Sequence, residues 1–156
     1  MSFQKLVNLY PAPGINGQQA GLGSVAYALP VPVAGEGGIV TGHACWDDPE
    51  NPGRVLNKGT GAPLGIALRV QTGIIPCNEG DTVTILEGHS VAVVAKGDLL
   101  VTSEAEVTAG QKIFASLTDG SLSGAAAGAT VDGSVETGWT VRESAAAGDI
   151  FHISNW

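Results

Sequence analysis

The sequence predicts an all-β protein: a single β-barrel or jelly-roll-like sandwich domain over residues 25–156, behind an extended N-terminal arm over residues 1–24. Two observations carry the fold class. Apolar and polar residues alternate in short runs enriched in β-branched side chains, and Gly, Asp, Asn and Pro punctuate those runs roughly every six to twelve residues. No stretch sustains the apolar spacing of an amphipathic helix. Many short strands at this spacing build a sandwich, jelly roll or barrel. A length of 156 residues suits one domain.

Taken in order, strands are expected over 24–33, 38–46, 65–72, 82–87, 90–95, 99–102, 112–117, 130–135, 138–143 and 150–154. Thr82-Val83-Thr84-Ile85 alternates as a half-buried strand requires, and Gly88-His89 then reads as a two-residue hairpin turn into Ser90-Val91-Ala92-Val93-Val94. Four units share one plan: Glu79-Gly80-Asp81, Lys96-Gly97-Asp98, Ala109-Gly110-Gln111 and Ala147-Gly148-Asp149 each precede an apolar run. Glycine supplies a backbone conformation closed to other residues, and the following side chain can bond the local backbone, so each unit reads as the turn that starts a strand. Their spacing is unequal, which excludes a solenoid repeat. Thr118-Asp119-Gly120-Ser121 is a turn signal, and residues 124–129 form a loop of small residues that either passes close to another backbone or stays mobile.

The N-terminal region is different in kind. No charged side chain occurs from Leu6 to Gly35, and the segment carries Pro11, Pro13, Pro30 and Pro32. Disordered tails usually stay solvated through charge, which this segment lacks. An extended arm, lying along a neighbouring protein or packed on its own domain, accounts for the composition. Phe3, Leu6, Leu9 and Tyr10 are its candidate anchors, because large apolar and aromatic groups dominate interface energies.

Charge narrows the function classes. Seven Lys and Arg against fifteen Asp and Glu give a net charge of -8, and the basic residues form no stripe. Nucleic acid and anionic membrane are therefore not expected partners. No run approaches the roughly 18 apolar residues of a membrane span, and no signal peptide is evident at the N-terminus. Cys45 and Cys77 lack metal-site or redox spacing and read as reduced core thiols of a protein made in a cytoplasm, with a Cys45–Cys77 bridge as the alternative.

Candidate chemical motifs fail on context. Gly21-Leu22-Gly23-Ser24 matches a dinucleotide fingerprint in letters, but it leads toward a proline-punctuated strand rather than a helix. His43, His89 and His152 are far apart, and His43-Ala44-Cys45 offers two ligands where zinc needs three or four. Asp47-Asp48-Pro49-Glu50-Asn51-Pro52-Gly53 reads as a surface turn, not a calcium loop. Gly120-Ser121-Leu122-Ser123-Gly124 is not a nucleophile elbow. No catalytic residue, metal or cofactor is expected.

From about residue 60 onward the sequence resembles the structural cement, or decoration, proteins of tailed phages. The resemblance rests on Gly65-Ile66-Ala67, Gly80-Asp81-Thr82-Val83-Thr84-Ile85, Val107-Thr108-Ala109-Gly110-Gln111-Lys112-Ile113-Phe114-Ala115, Glu136-Thr137-Gly138-Trp139 and the closing run from Ala147 through Asp149-Ile150-Phe151-His152-Ile153 to Trp156. It implies a non-enzymatic virion protein that binds the outer face of an assembled shell and bridges neighbouring major capsid protein subunits. It also implies a small β-rich module acting as a homo-oligomer, dimer or trimer. Trp139 and Trp156 could serve core or interface, with Trp156 expected as a core plug. The rival reading is a phage or bacterial surface domain that binds a receptor or glycan, for which Trp46 beside Asp47-Asp48 is the only aromatic hint.

Overall fold

The computed structural model describes residues 14–21, 23–70 and 84–156. Thirteen strands occur among them: β1 (Gln18–Gln19), β2 (Ala26–Tyr27), β3 (Val33–Ala34), β4 (Ile39–Val40), β5 (Ala44–Asp47), β6 (Arg54–Leu56), β7 (Gly65–Leu68), β8 (Thr84–Ile85), β9 (Ala92–Thr102), β10 (Lys112–Ser116), β11 (Leu122–Ala125), β12 (Ser134–Val141) and β13 (Ile150–Asn155). The fold is all-β, as the sequence predicts. One ladder runs β11-β10-β12-β13-β9-β7-β5-β6-β3, β1 and β2 also pair with β9, and β4 pairs with β8 apart from it. The ladder does not close on itself, so the architecture is sandwich-like rather than a barrel.

β9 organises this arrangement. Its first half pairs with β7 and β2, and its second half with β13 and β1. Gly17 N–H donates to Leu100 O at 2.8 Å, while Gly17 O accepts from Arg69 N–H at 2.8 Å. Arg69 directly follows Leu68, whose β9 partner is Ala92. This chain of contacts holds Ala92 and Leu100 within about 20 Å of each other. A straight strand between them would span roughly 26 Å. β9 therefore bends, and Gly97 sits in the middle with φ at +146°. A side chain there would also meet Val25 Cγ1 at 2.8 Å. The sequence places a turn and a new strand at Lys96-Gly97-Asp98; the structure instead carries one strand through a glycine corner, because hydrogen-bonded neighbours support both halves.

The bend folds the ladder over its main core. Ile66, Leu68 and Val94 from one half pack with Leu99, Val101, Ile113, Trp139, Phe151 and Ile153 from the other. Alternation puts Cys45, Ala67 and Val93 on the opposite face, where they join Ala34, Ile39, Val55 and Val91 in a second core. β7 is consequently buried along its whole length. That explains its unbroken apolar sequence, which resembles strands covered on both faces. Cys45 is a free thiol, fully buried, and burial pushes its pKa up to about 12, so it is an inert core residue. Cys77 lies outside the described residues.

Other differences have physical causes. The expected hairpin at Gly88-His89 does not pair its flanking strands. A turn does form, with Gly88 at φ +82° and His89 N–H on Leu86 O, but β8 pairs with β4. The expected strands over 24–33 and 38–46 each break in two. Leu29-Pro30-Val31-Pro32 separates β2 from β3, and the Thr41-Gly42 turn separates β4 from β5. The strands expected over 130–135 and 138–143 are one, β12, which starts after the turn at Gly133 and runs through Gly138. β1, β6 and β11 fall outside the expected strands, being short and poor in β-branched residues.

The small-residue loop is tied to the neighbouring strand by a side chain. β11 and β12 flank β10 on opposite edges, so the connection between them must cross a face of β10. Gly128 N–H donates to Glu136 Oε2 at 2.7 Å, and Glu136 lies opposite Phe114. The crossing therefore runs over the face that carries Phe114, which is 2% exposed yet belongs to neither apolar cluster. The turn units at Gly110 and Gly148 form as expected, with φ of +92° and +83° and Gln111 Oε1 accepting from Thr108 N–H at 2.9 Å.

Replacing Gly97 with Ala is expected to cost about 2–3 kcal/mol, through the forbidden backbone conformation and the clash with Val25. For a chain of this size that lowers Tm by roughly 5–10 °C in a calorimetric scan. An unchanged Tm would show that the corner does not depend on glycine.

Candidate functional site

The anchors suggested by sequence, Phe3, Leu6, Leu9 and Tyr10, lie outside the described residues. What the structure describes is their stem. Asn16 sits where three elements meet. Its Nδ2 donates to Thr41 O at 3.0 Å and its Oδ1 accepts from Thr102 N–H at 3.1 Å. Gly42 must be glycine here, because a side chain would strike the Asn16 amide and its φ is +78°. β1 then pairs with Leu99 and Leu100, and Ala20 N–H donates to Asp98 O. The stem is thus stapled to the end of β9 and to the β4–β5 turn. Ile15 and Val70, 42% and 38% exposed, flank this junction.

A second cluster is built around Asp98, one residue past the corner. Its Oδ1 meets His152 Nε2 at 2.9 Å, and its Oδ2 accepts from Trp156 Nε1 at 2.7 Å. Burial alone would raise the Asp98 carboxyl, but hydrogen bonds from Trp156, His152 and Ser154 outweigh it and hold the pKa below its ordinary value. Trp156 is 67% exposed, which corrects the expectation of a core plug. Its indole N–H is taken by a surface carboxylate, so the ring lies on the surface instead of entering the core.

The other two tryptophans are buried. Trp139 belongs to the main core. Trp46, 4% exposed, donates Nε1–H to Gly61 O at 3.0 Å, and Gly59 lies so close that any side chain there would overlap the ring. Trp46 therefore cannot act as a surface platform for a sugar; the exposed aromatic residues are Tyr27 and Trp156 instead.

The histidines do not converge. His43 Nδ1 lies 2.9 Å from Asp119 O, His89 Nδ1 lies 3.3 Å from Glu87 O, and His152 contacts Asp98. Among the described residues no group of three or more His, Cys, Asp or Glu could hold a metal. The acidic run after Trp46 forms the β5–β6 turn. Asp48 accepts from Glu50 N–H and Asn51 Nδ2, both at 2.9 Å, and these bonds, the Asn51 side chain first, hold its carboxyl below the ordinary value. Gly21 leads into coil and then β2, with no helix to complete a dinucleotide site. Ser121 and Ser123 belong to the β10–β11 hairpin.

Neither Asn16 nor Asp98 stands out in the sequence as a hub. Their partners are 25 and 86 residues away for Asn16 and 54 and 58 for Asp98. The available signal was local: Asn16-Gly17 is a turn dipeptide inside an uncharged segment.

Comparison with known proteins gives the family. A chain of a solved structure described as "The capsid of Myoviridae Phage XM1" has the same fold at a TM-score of 0.58 and 21% identity, over 99% of this chain and 97% of that one. No curated protein matches. The family model described as XM1 gp53 minor capsid protein matches residues 3–155. The class is therefore that of phage capsid-associated proteins. Within it, this chain belongs to the XM1 gp53 minor capsid protein family, and the match includes the N-terminal third, where the resemblance seen in the sequence was weakest.

Two outcomes are expected from this geometry. Asn16→Ala removes two hydrogen bonds and leaves Thr102 N–H and Thr41 O without this partner. It should cost about 1–3 kcal/mol and accelerate amide exchange in β1; unchanged β1 protection would contradict the staple. For Asp98, a folded pKa below the unfolded value near 3.9 gives stabilisation present above that value and lost as pH falls through the folded pKa. Acrylamide quenching of tryptophan fluorescence should therefore rise in that acid window, before global unfolding. Asp98→Ala should show the raised quenching already at pH 7.

Proposed function

We propose that this protein is a cement protein: it binds the outer surface of the assembled phage shell and bridges neighbouring major capsid protein subunits. The family match over residues 3–155 carries this reading. The protein acts by binding alone, without catalysis or cofactor, and does so as a homo-oligomer made in the host cytoplasm. A cement protein needs no single strong contact. Several weak contacts on a repeating lattice act together, so avidity exceeds any one affinity. The net charge of -8 opposes both premature aggregation and capture by packaged DNA.

Residues 1–13 supply one contact in this reading, with Phe3, Leu6, Leu9 and Tyr10 as its anchors. Support comes from the uncharged composition of residues 6–35 and from the stapling of the stem by Asn16. A firm stem lowers the entropy cost of placing the anchors on a partner.

Co-sedimentation with expanded shells lacking this protein tests the reading. The full chain should bind saturably, at a fixed ratio per capsid subunit, and raise the shell melting temperature. Deletion of residues 1–13 should leave a folded domain whose shell affinity falls roughly tenfold or more. Full occupancy by the truncated protein would remove the anchor role, and no binding by the full chain would remove the cement role.

A further inference from the structure

The residue that staples the stem also begins a reactive dipeptide. Of the chain's asparagines, only Asn16 is followed by glycine. The backbone nitrogen after an asparagine can attack its side-chain amide carbon, and glycine permits the approach because it has no Cβ. In that step the Gly17 nitrogen gives up its proton and bonds to Asn16 Cγ, the Cγ–Nδ2 bond breaks, and ammonia leaves. Water then opens the cyclic imide at either carbonyl. The products are an aspartate, or an isoaspartate whose main chain runs through the former side-chain carbon.

The fold holds every group this reaction must move. Gly17 is buried, and its N–H donates to Leu100 O at 2.8 Å, which fixes the peptide plane against β9. Its carbonyl accepts from Arg69 N–H at 2.8 Å, and the turn is closed by Gln18 N–H on Ile15 O at 2.9 Å. The leaving amide is held as well. Asn16 Nδ2 donates to Thr41 O at 3.0 Å, and Oδ1 accepts from Thr102 N–H at 3.1 Å. Gly42 packs so tightly on this amide that no Cβ fits between them. Ring closure therefore needs the Gly17–Leu100 and Asn16–Thr41 bonds broken together, so the stem must first leave β9 and the β4–β5 turn.

We propose that Asn16-Gly17 is a deamidation site that the docked stem keeps closed, and that its reaction releases the stem in one direction only. The products do not fit back into the site. A carboxylate at position 16 only accepts, so it sets a negative oxygen against Thr41 O where Nδ2 was the donor. The isoaspartate adds a carbon to the main chain just before Gly17 and displaces the pairing of Gln18 with Leu100. A stem that opens long enough to react stays open, and the chain keeps a chemical record of the opening. None of this depends on whether the protein binds a shell.

Peptide mass mapping of the full chain tests this, with one sample native and another unfolded in urea, both held at mildly alkaline pH. Conversion at Asn16 should be at least about tenfold slower in the native sample, because opening must precede reaction. Chains converted in urea carry an added negative charge, which separates them by anion exchange. Returned to native buffer, they should regain the native circular dichroism spectrum but lose hydrogen-exchange protection at Gly17 and Ala20, whose N–H groups donate to Leu100 O and Asp98 O. Asn16→Asp, made directly, should show the same loss. Equal rates in the two samples would overturn the guard, and no conversion in urea would overturn the site. Full protection of both amides in the converted chain and in Asn16→Asp would overturn the one-way release, as would global unfolding of both.

Discussion

The bend of β9 at Gly97 is the constraint on which the rest of the structure depends. A single strand takes part in both halves of the ladder, and its corner turns one continuous set of hydrogen bonds into two layers facing a shared core. β13, β12, β10 and β11 extend from its second half, while β7, β5, β6 and β3 extend from its first. Both surface clusters are also built at this strand. Asp98 follows the corner and gathers His152 and Trp156, and Thr102 at the end of β9 receives Asn16 from the stem. A glycine is required at the corner because its φ of +146° lies where side chains are strained and because Val25 occupies the space a Cβ would need.

The fold class was legible because alternation and turn chemistry are local. Gly110 and Gly148 behave as their sequence suggests, each with a neighbour that completes a turn. Gly97 has the same letters and a different outcome, because long-range pairing on both sides keeps the strand continuous. The same override fused residues 134–141 into one strand and moved the partner of β8 from β9 to β4. Short strands such as β6 and β11 exist because a neighbour supplies an edge, which no local pattern announces.

The candidate surfaces were less legible for a related reason. An aromatic residue in the sequence does not reveal which way it faces. Trp46 sits beside two aspartates and reads as exposed, yet Gly59 and Gly61 enclose it. Trp156 follows an alternating strand and reads as core, yet a carboxylate 58 residues away keeps its indole at the surface. What the composition did convey was the distribution of charge. The uncharged stretches at residues 6–35 and 113–131, apart from Asp119, sit on a chain of net charge -8.

Whether this capsid-family protein bridges shell subunits from outside can be seen in a cryo-electron microscopy reconstruction of shells saturated with the full chain. β-Sandwich density is expected on the outer surface, straddling the boundary between adjacent major capsid protein subunits. Density on the inner surface, or density confined to a single subunit, would contradict it.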